Sequence, residues 1–332
     1  MPSLQLEPSR QESPAIEGPH VRIVRRRSVA LVSAVAAAAA MFVTIPTLLP
    51  DGSGTSSARA AEFLRQQSAI AGTQPTLRAG AGEYYYFKND LTGMVYATAD
   101  GSGGSGPGSG PGTPGVCHVL ITGTEELWLA PNGAGRQIEA FGPDPTYPSD
   151  VDHAECRQVG LPHIGGRSDH EFGPRGMPVP DVTTLPTTRD GLADALQTPQ
   201  FLELLPDEDR TLPLSPDRML SLIAGVLPMP QASAQLRSAL FDLAASLPTV
   251  AYVGPTMDAV GRTGIAIAVA SSAESVPTRL EVIIDPDTSE LLEQTQTVAA
   301  DTGSWPAGTV LRSTVTVHRA VVDATGHRPE GA

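Results

Sequence analysis

The residues with chemical potential crowd into one stretch of the chain. Cys117 and Cys156 are the only cysteines, and His118, His153, His163 and His170 fall near them. An even cysteine count in an oxidising compartment suggests one disulfide, against the alternative of two unpaired thiols. A bridge here would close a loop of about 40 residues and contribute roughly 4 kcal/mol in the chain-entropy model. His153-x-x-Cys156 has the form of half a metal site, but zinc sites show tighter paired spacings, so these read as surface histidines. The acidic run Asp207-Glu208-Asp209 lacks the ligand spacing of a calcium loop and reads as a solvated connection between helices.

No nucleophile elbow, Walker loop, His-Glu-x-x-His pair or dinucleotide glycine fingerprint is present. The sequence therefore assigns no catalytic, cofactor-binding or metal-ligating residue and calls for no cofactor; the expectation is a protein that is not an enzyme. An uncharacterised hydrolase using a cleft near residues 142–187 stays as a further alternative, which would need His153, His163, His170 and Asp169 to converge. Tyr84, Tyr85, Tyr86 and Phe87 form an aromatic strand whose side chains alternate between faces. One pair could line a cavity for a hydrophobic ligand; the other reading is core and cross-strand packing.

Charge is unevenly placed. The 332 residues carry a net charge of −14, which argues against a nucleic-acid partner. Residues 1–27 hold five arginines and three glutamates, residues 28–49 hold no charge, and the rest is acidic. The uncharged run is long enough, at roughly 33 Å as a helix, to cross a bilayer core of about 30 Å. Arg25, Arg26 and Arg27 abut its start, and no positive charge follows it until Arg59. That asymmetry predicts a single-pass plasma-membrane protein with a cytoplasmic N-terminus and an extracytoplasmic body. The alternative is secretion after signal cleavage near Ala60, since Ala58-Arg59-Ala60 has the small-x-small form of a cleavage site.

Beyond the membrane segment, residues 50–58 read as a tether and 59–332 as one α+β domain. A helix is expected over 60–71, then strands over 83–87 and 94–98 separated by a turn. A flexible Gly/Ser insertion over 101–115 follows. Strands over 116–121 and 125–130 lead to the hairpin signal Pro131-Asn132-Gly133-Ala134-Gly135 and a return strand over 136–141. Residues 142–187 are dense in Pro and Gly and read as a long irregular loop. Helices over 188–197, 215–226 and 231–247 follow; the second starts on Ser215-Pro216, and the third repeats leucines at 236, 240, 243 and 247. Strands return over 250–253, 264–270, 279–285, 291–298 and 310–322. This order implies an antiparallel sheet with helices on one face.

Ala60-Ala61-Glu62-Phe63-Leu64, Gly82-Glu83-Tyr84-Tyr85-Tyr86, Glu126-Leu127-Trp128-Leu129, Phe172-Gly173-Pro174, Leu185-Pro186-Thr187, Leu236-Arg237-Ser238-Ala239-Leu240, Leu247-Pro248-Thr249-Val250, Gly261-Arg262-Thr263-Gly264-Ile265-Ala266 and Ile284-Asp285-Pro286-Asp287-Thr288 occur in that order. In this the chain resembles a family of actinobacterial single-pass membrane-anchored proteins of unknown function, often encoded beside extracytoplasmic-function sigma factors. Ser289 stands where that family usually has glycine, and the run 101–115 looks like an insertion. The resemblance implies an outer domain like the lipoprotein-carrier fold: an N-terminal transmembrane helix followed by an antiparallel half-barrel sheet with helices packed on one face. It also implies an extracytoplasmic binding or sensor protein, an accessory factor in envelope and sigma-factor signalling whose partner is an envelope regulatory protein. A carrier of a hydrophobic ligand such as a lipid is the alternative. The tail of about 27 residues is too short to fold around a sigma factor itself.

Overall fold

The structure is a computed structural model. It describes residues 53–332 apart from 101, 107, 109, 161–164, 175, 177–179, 206–209, 211 and 272–275. Arg25, Arg26, Arg27, the apolar run 28–49, His163 and Asp207-Glu208-Asp209 lie outside the described residues. Among the described residues no helix is long and apolar enough to cross a membrane.

The fold is α+β. The chain forms α1 (Ser53–Ala71), β1 (Tyr84–Thr98), β2 (Gly103–Ser105), β3 (Val116–Leu129), β4 (Gly135–Phe141), α2 (Asp150–Val159) and β5 (Gly166–Phe172). A 3-10 turn at Val182–Thr184 leads to α3 (Arg189–Leu196), α4 (Pro199–Leu202), α5 (Pro216–Val226) and α6 (Ala234–Ser246). Strands β6 (Ala251–Met257), β7 (Thr263–Ser271), β8 (Thr278–Ile284), β9 (Leu291–Val298) and β10 (Val310–Val322) complete it.

One open antiparallel sheet holds all ten strands, in the order β5-β4-β3-β1-β10-β9-β8-β7-β6 with β2 on β1. It is two meanders joined where β1 pairs with β10. The helical segment carries the chain from one edge, β5, to the other, β6. Phe63 and Leu64 of α1, Leu192 and Leu196 of α3, Leu220 and Ile223 of α5, and Leu236, Leu240, Phe241 and Leu243 of α6 share one core. Ile267, Val269, Leu280, Val282 and Ile284 of the sheet enter the same core. The helix layer therefore sits over the β6–β9 half. Ser233 begins α6 by accepting a hydrogen bond from the Leu236 N–H at 3.1 Å, and the leucine repeat turns one face of that helix inward.

Five expectations change. The helix starts at Ser53, inside the stretch read as tether. The aromatic strand and its partner are one strand, β1, because Asn89 to Gly93 stay paired on both sides, to β3 and to β10. Likewise 116–121 and 125–130 are one strand, β3. Gly123 suits its middle, since a Cβ there would stand 2.4 Å from the Ala140 carbonyl oxygen. The Gly/Ser insertion contributes β2, paired to Val95–Ala97, and Gly103 is needed where a Cβ would meet the Tyr96 oxygen at 2.5 Å. The loop 142–187 holds α2, β5 and the 3-10 turn rather than irregular chain alone.

The turn after β8 carries a cost of its own. Ser289 takes φ 55°, in the left-handed region where a Cβ costs roughly 1–2 kcal/mol. Its backbone N–H still closes the turn onto Asp285 O at 2.9 Å. Replacing Ser289 with glycine relieves the clash but loses the seryl hydroxyl bond to Thr288 O and adds chain entropy to the unfolded state. The expected net is a gain of up to about 1 kcal/mol, read as a higher urea midpoint at unchanged slope; a lower midpoint would contradict it.

Candidate functional site

Cys117 on β3 and Cys156 on α2 are joined in a disulfide, with Cα atoms 4.5 Å apart and a sequence separation of 39. Both are buried, in an apolar cluster with Val119 and, around it, Val95, Ile121, Tyr147 and Val159. The bridge clips α2 across the sheet. Cys156 is thereby spent, so the His153-x-x-Cys156 pair cannot ligate a metal.

A buried polar cluster lies beside the clip. Asp152, 1% exposed, sits on the first turn of α2. One carboxylate oxygen meets His118 Nδ1 at 2.9 Å, and the other accepts from Trp305 Nε1 at 2.8 Å and from the Ser149 hydroxyl. His118 stands edge-on to Trp305, ring centroids 4.9 Å apart. Ser149 is also the N-cap of α2, accepting from the Asp152 N–H at 3.1 Å. Burial works to raise the Asp152 carboxyl, but the hydrogen bonds from His118, Ser149 and Trp305 outweigh it and hold it below the usual range. The cluster ties β3, α2 and the loop between β9 and β10 together, three pieces far apart in sequence.

At the other end of β1 and β3, Tyr86 packs on Trp128 at 5.2 Å in a cluster with Ile138. Residues 324–332 strap this pair. His327 O accepts from Trp128 Nε1 at 2.7 Å, and Arg328 makes a two-point ion pair with Glu126, whose oxygen also accepts from the Tyr86 hydroxyl at 3.1 Å. Burial raises the Tyr86 phenol far above its ordinary value, and the Glu126 charge adds to the rise. Burial also works to raise Glu126, but Arg328 outweighs it and holds that carboxyl below the usual range. An open groove of about 700 Å³ beside the strap is lined by Glu83, Val321, Val322, Asp323, His327 and Arg328, among others.

Of the aromatic residues singled out, Tyr84 and Tyr86 share one face of β1 and take part in the Trp128 cluster. Tyr85 and Phe87, on the other face, are buried. Among the histidines, only His118 is brought into the buried cluster described above. His153 is exposed on α2 with its ring 4.5 Å from Tyr147, and His170 is exposed on the edge strand β5. Asp169 spends both oxygens on Arg136, at 2.8 and 2.7 Å.

Comparison with known proteins adds little. No protein-family model matches the chain, and no curated protein matches it. Among solved structures, the crystal structure of MucB in complex with MucA(peri) is similar over 81% of this chain and 57% of that chain, at 14% identity and a TM-score of 0.24. The chain spans a little over half of that one. At this TM-score the likeness carries no argument about the site.

Asp152, Trp305 and Ser149 were missed by the sequence reading. Ser149-x-x-Asp152 is a helix-start pattern that could have marked α2 and its buried acid. Nothing local points to Trp305, whose partner lies 153 residues away.

Proposed function

We propose that the described domain is the extracytoplasmic binding or sensing part of a membrane-anchored protein that acts as an accessory in envelope signalling. The observation that carries this reading is the Cys117–Cys156 bridge, since such bridges form and persist in oxidising compartments and are rare in the cytosol. It agrees with the order basic tail, uncharged run and acidic body along the chain. The sheet's design fits a domain that binds rather than reacts. Its buried polar clusters are satisfied by their own neighbours, and the helix layer of α1, α3, α5 and α6 covers only the β6–β9 half of the sheet. The membrane helix would be the residue run 28–49, and the partner an envelope regulatory protein that relays the signal.

Fractionation of cells producing the full chain tests this. Recovery with membranes, with both cysteines resistant to alkylation until a reductant is added, is expected. Recovery from the cytosol with reactive thiols would overturn it. Capture of the intact protein from detergent-treated membranes is then expected to retain a regulatory protein, and a clean preparation with no such partner would count against the signalling role.

A further inference from the structure

Glu125 of β3 and Glu139 of β4 are direct partners in the sheet register, so two carboxylates stand opposite each other on one face. Like charges placed this way destabilise a strand pair. Glu125 is 2% exposed. Its oxygens accept from two neutral amides, Asn89 Nδ2 at 2.9 Å and Gln137 Nε2 at 2.8 Å. Gln137 Nε2 also reaches Glu139 at 3.3 Å, bridging the two acids, and Ser168 of β5 donates to Glu139 at 3.2 Å.

The charged groups on neighbouring elements are engaged elsewhere. Lys88 and Asp90 flank Asn89 on the opposite face of β1 by strand alternation. Arg136 on β4 is held by Asp169, Arg167 on β5 lies near that same aspartate, and Arg319 on β10 pairs with Glu290 at 2.8 Å. Asp150, Asp152, His153, Glu155 and Arg157 belong to α2, which packs at the Cys117 end of β3. His170 on β5, opposite Gln137, lies on the shared face.

We propose that Glu125 and Glu139 form an acid-responsive latch, which takes up one proton as the surroundings acidify and tightens the attachment of the β4–β5 edge to the rest of the sheet. A proton on Glu125 removes the opposed charge and leaves the strands paired by their ladder alone. The edge it controls is the polar, exposed one, with β5 held to the sheet through β4. Burial pushes the Glu125 carboxyl upward; the amides of Asn89 and Gln137 offset part of that rise, and the Glu139 charge adds to it. The inference does not depend on the compartment assigned above, so either can fail alone.

Urea unfolding of the full chain between about pH 8 and about pH 5 tests it, on the wild type and on Glu125→Gln and Glu139→Gln. In the wild type the latch adds up to about tenfold per pH unit to the folded-to-unfolded ratio as pH falls, because the native state binds the extra proton. Glu125→Gln abolishes that increment, and Glu139→Gln moves it to lower pH. A Glu125→Gln chain with the wild-type pH dependence overturns the proposal. Carbon-13 NMR of glutamate carboxyls in the unmutated chain provides a readout that needs no variant to fold. One carboxyl titrating clearly above the ordinary value of about 4.3 is expected, and a full set at or below that ordinary value overturns the latch.

Discussion

Asp152→Ala is expected to cost about 3–5 kcal/mol of stability, a large share of what a domain of this kind has to lose. The side chain is 1% exposed and is the shared acceptor for His118 Nδ1, Trp305 Nε1 and the Ser149 hydroxyl. Removing it leaves His118 Nδ1 and Trp305 Nε1 in a buried site, and the half-buried Ser149 hydroxyl, without that acceptor; each buried donor left unmade costs about 1–3 kcal/mol. Asp152→Asn keeps the shape and one acceptor oxygen, so it should cost less than alanine. Trp305 supplies a local probe: its emission should shift to the red in Asp152→Ala under conditions where the chain is still folded. A variant as stable as the wild type, with Trp305 emission unchanged, would show that the cluster is dispensable. The pH dependence has a fixed sign. The folded-state carboxyl is held below its ordinary value of about 3.9, so its contribution is complete above that pH and drains away as pH falls below it. Glu125 acts in the opposite sense, with stability gained as pH falls toward its unfolded value. Asp152 and Glu125 should therefore separate cleanly in a pH series.

The sequence exposed some of this architecture and hid the rest for identifiable reasons. Helices α5 and α6 were legible because Ser215-Pro216 marks a start and the leucines at 236, 240 and 243 all turn into one core. The hairpin at Pro131 to Gly135 was legible because its turn residues are specific; Gly133 takes φ 79° there. Strands β1 and β3 were read as broken because Gly93 and Gly123 resemble turn residues locally. Both lie in central strands, where pairing on two sides overrides local preference. β5 was invisible because an exposed edge strand, here Gly-Arg-Ser-Asp-His-Glu-Phe, needs no apolar face and so shows no alternation. α2 was hidden by its short length and its acids, although its start pattern was present. The disulfide was legible from the cysteine count, but the cluster it guards was not. His118, Asp152 and Trp305 meet only in three dimensions.

Replacing both cysteines, Cys117→Ala with Cys156→Ala, is expected to cost about 4 kcal/mol. Most of that comes from the unfolded state. The bridge spans 39 residues, and cutting it lets the denatured chain sample conformations the closed loop forbids. A second part is native: both cysteines are buried among Val119, Val95, Ile121 and Val159, and truncation there leaves unfilled space. Two measurements separate the parts. Reducing the wild type under denaturing equilibrium should reproduce the entropic loss without the truncation. The urea slope should rise in both cases, since an uncrosslinked chain exposes more surface on unfolding. The loss should fall unevenly across the fold. The hydrophobic core under α1, α3, α5 and α6 contains neither cysteine, whereas α2, the Trp305 loop and the upper end of β3 hang on the clip. Hydrogen exchange in the bridge-free chain should therefore accelerate first at α2 and at residues 299–309. Uniform acceleration, or a loss under 1 kcal/mol on the scale set by the entropy model, would mean that α2 is held by the Asp152 cluster alone and that the bridge is incidental to the fold.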